Sequence, residues 1–302
     1  PQTYGDIEII QQGDKPILGY SDGKPFTEYA DIILFGDHTV SLYKPTKPFF
    51  IATDGVKILS ADGFDGQYLF ATLERYKPES QGYKRHFTIL KNKGIWFTKN
   101  KNEQFKIGSF FKEIDQLITL NQNKISHIKD LKAGLLQKMF PKNGETKPEI
   151  RFDGFTSDWK ECRLGEVKDV RDGTHDSPKY QNKGFPLITS KNIKESGLDM
   201  SNVSLISFED FNAINQRSKV DIGDIIFGMI GTIGNPIILE RDDFAIKNVA
   251  LLKNGGSIDN RFLLQLLKSP VFELYMKKEN AGGTQKFLGL SQIRNLNFLV
   301  PE

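Results

Sequence analysis

Alternating steps of four and three from Ile107 pass through Phe111, Ile114, Ile118, Asn121, Ile125, Ile128, Lys132, Leu135 and Met139, and eight of these ten positions are apolar. That spacing is a coiled-coil seam, and it predicts one helix from about Glu103 to Met139. At 1.5 Å per residue such a helix is about 55 Å long, more than one small domain needs, so it is expected to connect two. Pro141, Gly144 and Pro148 stop it. Asn121 and Lys132 interrupt the seam, as polar residues that set register and partner choice do. A stripe of this kind needs a cover, so Phe111, Ile114, Ile118, Ile125, Ile128 and Leu135 form the candidate partner-binding face.

On either side of the helix lie short β-rich runs and turn signals, predicting an α+β fold with two globular domains joined by the long coiled-coil helix. The flanks resemble each other in order: Asp31-Ile32-Ile33-Leu34-Phe35 with Asp224-Ile225-Ile226-Phe227, Phe50-Ile51-Ala52 with Phe244-Ala245-Ile246, and residues 64–70 with 258–264. Asp65 and Asp259 each precede an apolar helical run, as capping carboxylates do. The expected organisation is a first domain at 1–102, incomplete at its start, a helical spacer at 103–140, and a second domain at 141–302 lacking a distal helix. The chain reads as a fragment, or as a protein that borrows its missing halves from another copy.

Composition narrows the function classes. Forty-one Lys and Arg stand against 38 Asp and Glu, and hydrophobic residues make up 38%, an ordinary globular balance. No stretch is apolar enough to span a membrane. Cys162 is the one cysteine, so disulfides and cysteine-zinc sites within one chain are excluded and a reducing cytoplasm is expected. Charge is concentrated: residues 77–106 hold eight Lys and Arg against two Glu, interleaved with Tyr83, His86, Phe87, Trp96 and Phe97. This is either a phosphate-binding surface, with Lys84, Arg85 and His86 as candidates, or strand core beside solvated lysines.

Enzyme motifs fall short. Gly228, Gly231 and Gly234 are spaced G-x-x-G-x-x-G, which is not the dinucleotide fingerprint, and there is no phosphate loop and no G-x-S-x-G. Asn235-Pro236 lacks the second proline and aromatic ring of adenine methyltransferases. Asp172, His175 and Asp176 are a poor metal set without a close histidine pair. No catalytic residue and no metal ligand is assigned. What remains are polar, glycine-punctuated loops at 172–180, 189–192 and 282–286, which are surface turns or nucleic-acid contacts. They supply Thr174, His175, Lys179, Lys191, Asn192, Thr284, Gln285 and Lys286, with Asn192 of the residue type that pairs bidentately with adenine.

Residues 135–141 (Leu-Leu-Gln-Lys-Met-Phe-Pro), followed by Pro148-Glu149-Ile150-Arg151-Phe152, by residues 155–160 (Phe-Thr-Ser-Asp-Trp-Lys) and by Leu164-Gly165-Glu166-Val167, strongly resemble the central region of specificity subunits of type I restriction-modification systems. Ile107-Gly108-Ser109-Phe110-Phe111 resembles that family's helix start. Asp172-Gly173-Thr174-His175, Gly231-Thr232-Ile233-Gly234 and Thr284-Gln285-Lys286 resemble its recognition loops, which adds Thr232 to the candidates; Gly36-Asp37-His38-Thr39 departs from the pattern. The resemblance implies a non-catalytic subunit with two target-recognition domains. It would read a bipartite double-stranded DNA target and dock modification (methyltransferase) and restriction (endonuclease and translocase) subunits. S-adenosylmethionine, ATP and Mg would then bind those partners and not this chain. A coiled-coil adaptor that binds only proteins and a stand-alone DNA-modifying enzyme are the alternatives, separable by salt-dependent DNA affinity and by S-adenosylmethionine binding.

Overall fold

The computed structural model describes residues 1–82, 84–142, 144–279 and 287–302. The chain divides into two units, Pro1–Ser126 and His127–Glu302, and the division falls inside the long helix.

In unit 1 the strands are β1 (Ile7–Ile10), β2 (Ile17–Ser21), β3 (Ile33–Gly36), β4 (Leu42–Tyr43), β5 (Phe49–Ile51) and β6 (Val56–Leu59), followed by helices α1 (Gly66–Tyr76) and α2 (Phe87–Lys91). They form two sheets, β2-β1-β5 and β4-β3-β6, with β1 parallel to β5 and the other pairs antiparallel. β3 is buried on both faces. Its Ile33 and Phe35 pack with Leu69 and Leu73 of α1, while Leu34 on the opposite face joins Ile10 and Phe49, as a period of two requires.

The long helix α3 (Lys101–Lys138) starts two residues earlier than its seam predicts and ends one residue sooner. Asn100 Oδ1 caps it by accepting from the amides of Asn102 and Glu103 at 3.0 and 3.3 Å. Its first turns are tied down by buried Gln104, whose Nε2 donates to Thr98 and Gly63 carbonyls and whose Oε1 accepts from the Asp65 amide. Gly108 permits a close crossing, since a Cβ there would sit 2.7 Å from the Tyr68 backbone nitrogen. Beyond this the seam is bare: Phe111, Ile118, Ile125, Ile128 and Leu135 are 36–55% exposed, and Ile114 is half-buried.

Unit 2 opens with β7 (Lys160–Arg163), α4 (Leu164–Val167), β8 (Val170–Asp172) and β9 (Phe185–Ile188), then the short hairpin β10 (Ile193–Lys194) and β11 (Gly197–Leu198). β12 (Ser204–Ile206), α5 (Phe208–Ser218), β13 (Ile225–Gly228), β14 (Gly234–Ile238), β15 (Ala245–Ile246) and β16 (Val249–Leu252) follow. The unit closes with α6 (Asn260–Leu267), α7 (Pro270–Glu279), α8 (Leu290–Arg294) and β17 (Asn297–Val300). Its sheets are β12-β9-β15, β14-β13-β16-β8 and β17-β7, besides the hairpin. β13 repeats the two-faced burial of β3, sending Ile225 and Phe227 to one core and Ile226 to the other.

The two units share one framework. β1 between β2 and β5 corresponds to β9 between β12 and β15, and β4-β3-β6 corresponds to β14-β13-β16. Even single bonds recur: Ala52 N donates to Ile10 O and Lys247 N to Ile188 O, both at 2.8 Å, and His86 N to Asp37 O and Leu288 N to Met229 O, both at 2.9 Å. Asp65 caps α1 through the Gln67 and Tyr68 amides and Asp259 caps α6 through the Arg261 amide, as the sequence predicts. The register of two matches is shifted. The strand pairs align Phe49, not Phe50, with Phe244, both fully buried, and align Ile32, not Asp31, with Asp224. Asp31 instead accepts from the Gly66 amide at the start of α1. Among the described residues unit 1 has no counterpart of β7 or β8.

Candidate nucleic-acid interface

In unit 2 the loops that leave β8, β9 and β13 meet the turn between β15 and β16. The centre of this meeting is Asn248, a non-glycine residue at φ 54°, a left-handed conformation that Asn tolerates better than most residues. Its backbone is fully used: its amide donates to Thr174 O at 3.0 Å, and its carbonyl accepts from the Met229 amide and from the Ser190 hydroxyl. Its Oδ1 lies 2.8 Å from His175 Nδ1. The approach is close because glycines line it. A Cβ on Gly228 would lie 2.9 Å from Ser190 Oγ, and one on Gly173 would strike the backbone at Ile246 and Lys247.

The same cluster is polar and partly charged. Asp172 is buried and accepts from His175 Nε2 at 2.9 Å and from the Arg217 guanidinium of α5. Arg217 and His175 both keep substantial exposure, with side chains 62% and 48% accessible. Beside them Thr174, Ser177, Pro178, Asp210 and Arg217 line a cleft of about 380 Å³, and Lys247 Nζ donates to Ser177 Oγ at 2.5 Å. The Asp172–His175 pair thus works as a hydrogen-bonded brace that holds a loop and an arginine. Exposed donors on glycine-supported backbone suit phosphate oxygens and base edges.

Of the sequence-predicted contacts, Thr174 and His175 lie in this cluster, and exposed Lys191 and Thr232 flank it through their neighbours Ser190 and Gly228. Lys179 is exposed on the loop after β8, and Lys84 and Arg85 are exposed ahead of α2 in unit 1. Thr284, Gln285 and Lys286, and Tyr83, lie outside the described residues. Two expectations are corrected. Asn192 is buried at 7% exposure and spends its amide on the fold: Oδ1 accepts from the Thr189 amide and hydroxyl, and Nδ2 donates to the carbonyls of Asp199 and Asn202. It has no edge left for a base. His86 is fully buried, with Nδ1 on Asp37 O at 2.9 Å and Nε2 accepting from the Gln81 amide at 3.0 Å, so it locks the start of α2. Sequence reasoning missed Lys247, Asn248 and Arg217. Only an asparagine directly ahead of the apolar run Val249–Leu252 hinted at a left-handed turn there.

The partner-binding candidates lie along α3. In unit 2, Ile128 and Leu135 of the helix and Met139 directly after it line an apolar cavity of about 630 Å³ together with Phe152, Trp159 and Phe262. Among the described residues no helix is long and apolar enough to cross a membrane.

The type I restriction modification DNA specificity domain family matches residues 156–302. No curated protein sequence matches the chain. Among solved structures, the type I restriction-modification S subunit from M. genitalium is similar over 99% of this chain and 78% of its own, at 17% identity and TM-score 0.64, which establishes a shared fold. The HsdS subunit from Thermoanaerobacter tengcongensis is more distant, with 14% identity, 91% and 70% coverage and TM-score 0.44. A chain from a structure of type I R-M complex assembly and conformational transition gives 14%, 92%, 71% and 0.48. Residues 156–302 of this chain are therefore similar to the type I restriction modification DNA specificity domain family, and the chain as a whole shares the fold of an S subunit.

Proposed function

We propose that the chain is a sequence-reading subunit of a type I restriction-modification complex, with unit 2 contacting one half of a bipartite duplex target and unit 1 the other. The observation that carries this reading is the gathering of Thr174 and His175 with Ser190, and through it Lys191, around Asn248 within a DNA specificity domain. Lysines such as Lys191 and Lys179 position the domain on phosphates, and the loop side chains read base edges in a groove.

The bare seam of α3, from Phe111 to Leu135, is the docking surface for modification and restriction subunits. Its exposed isoleucines and phenylalanine are the kind of apolar patch that marks an interaction site. S-adenosylmethionine, ATP and Mg belong to those partners, in the cytoplasm. Coexpression with a modification subunit followed by sequencing of the methylated sites tests the proposal. The expected result is a split motif with two specified halves. Methylation without sequence preference, together with duplex affinity that does not fall as salt rises, sinks it and leaves a protein-binding adaptor.

A further inference from the structure

The two units set a carboxamide beside the same backbone turn by different routes. In unit 1, Gln12 stands two residues beyond β1, and its Oε1 accepts from the His38 amide at 3.1 Å. Two glycines make its place: a Cβ on Gly36 would lie 2.8 Å from Gln12 Cβ, and one on Gly55 would lie 2.8 Å from Gln12 Nε2. Gly55 directly precedes β6, and its carbonyl accepts from the amide that follows β3, that of Asp37, at 2.8 Å.

In unit 2 the corresponding positions are exchanged in chemistry. The residue two beyond β9 is Ser190, which carries no carboxamide and whose hydroxyl donates to the Asn248 carbonyl. The residue directly preceding β16 is Asn248, whose carbonyl accepts from the amide following β13, that of Met229. Where unit 1 has a bare glycine covered by a glutamine, unit 2 has an asparagine and a serine. In both, one end of the amide is engaged: Gln12 Oε1 accepts from the His38 amide, and the Asn248 amide pairs with His175 Nδ1 at 2.8 Å, so each keeps at least one N–H that meets no acceptor among the described residues. Both side chains are half-buried and therefore held, with a donor unspent.

We infer that Gln12 and Asn248 are the matched base-reading residues of the two units, each presenting its amide to an adenine. An amide NH₂ donates to adenine N7 while a remaining lone pair of its oxygen accepts from N6, the bidentate pattern available in the major groove. This rests on the DNA-reading function proposed above. Gly55 belongs to the same device, because any side chain there takes the space of the glutamine tip.

The test selects bound sequences from a randomised duplex library with the full chain and with Gln12→Ala, Gly55→Ala and Asn248→Gly, then measures affinity for the selected duplex and its single-pair variants. Gly55→Ala keeps the glutamine but displaces its amide, and glycine suits the φ of 54° at Asn248. Each variant is expected to lose roughly 5- to 150-fold discrimination at one A·T pair. Gln12→Ala and Gly55→Ala should relax the same pair, and Asn248→Gly a different one. If Gln12→Ala fails to fold, Gln12→Glu retains the acceptor for His38, removes the donor, and should relax that pair as well. Equal weakening on every duplex, the signature of a phosphate contact, overturns the inference, as does an unchanged selected sequence. No enrichment by the unsubstituted chain overturns DNA reading itself.

Discussion

Units 1 and 2 are two versions of one framework, and their differences lie where a core position meets a loop. At the start of β13, Asp224 is fully buried and answered by Lys253, whose ammonium also reaches Asp221 at 2.6 Å. The strand pairing puts Ile32 and Ser60 at those two positions in unit 1. One unit closes this corner with an ion cluster and the other largely with an apolar side chain. Buried pairs and apolar replacements of similar volume are close in stability, so either sequence can support the same sheet. The pair is unforgiving, however, once one member is lost. A second difference is β8, which adds a fourth strand and with it the brace of Asp172, His175 and Arg217. The framework thus tolerates exchange of whole polar devices at its rim while its two-faced central strand stays apolar.

The largest effect is expected from Lys253→Met. It strands the Asp224 carboxylate and should cost unit 2 about 3–5 kcal/mol in denaturant unfolding, while the unit 1 transition is unmoved; equal loss in both units would break the comparison. The same cluster sets a pH window. Burial works against the Lys253 charge, but hydrogen bonds to Asp221 and Asp224 outweigh it and raise its pKa. Hydrogen bonds from Lys253 and Lys219 lower that of Asp221. The lysine contribution is therefore lost as pH rises through a value above 10.5, and the Asp221 contribution as pH falls through a value below 3.8. Lys253→Met should flatten both limbs in unit 2 alone.

Next in size, Ile118→Asp with Ile125→Asp should release the partner subunit in size-exclusion chromatography. Both side chains are exposed, so intrinsic stability should change by about 0.5 kcal/mol or less. Retained partner binding would confine docking to the last turns of the helix, from Ile128 to Lys138. In unit 1, Tyr43 is pushed up to about 12 by burial, then by the Glu8 carboxylate that its hydroxyl meets at 3.3 Å. The folded state keeps its proton where the unfolded state loses it, so stability of unit 1 should decline between pH 10.0 and about 12. Tyr43→Phe should remove that decline, as alkaline melting curves would show. The smallest effect is Lys191→Ala, which should weaken all duplexes alike and reduce the salt slope by about one; a change in the preferred sequence would make Lys191 a base reader instead.

The strongest local signals reached the page intact. The heptad of α3 was legible because eight apolar positions in a fixed rhythm leave few alternatives, and the Asp65 and Asp259 caps because capping is decided within four residues. The duplication was legible as an order of elements but not in register, since a one-residue offset in a strand reverses which face each side chain takes and only pairing partners resolve it. The candidate site was legible as polar loops around Thr174, His175 and Lys191. The likeness to the specificity-domain family was legible as well: the segment that suggested it, from Leu135 to Val167, runs into the matched residues 156–302.

What tertiary structure alone decided is which polar groups remain to be offered. Asn192 and His86 have the residue types of contacts, yet neighbours distant in sequence consume their donors and acceptors, and burial makes that assignment compulsory. Gln12 and Asn248 look unremarkable in the chain. Their placement depends on Gly36, Gly55 and the left-handed turn before β16, which join segments that sequence periodicity treats as unrelated. Hydrophobic rhythm and capping act within a few residues and so are written locally. Hydrogen-bond satisfaction is settled between strands and loops only once they have packed.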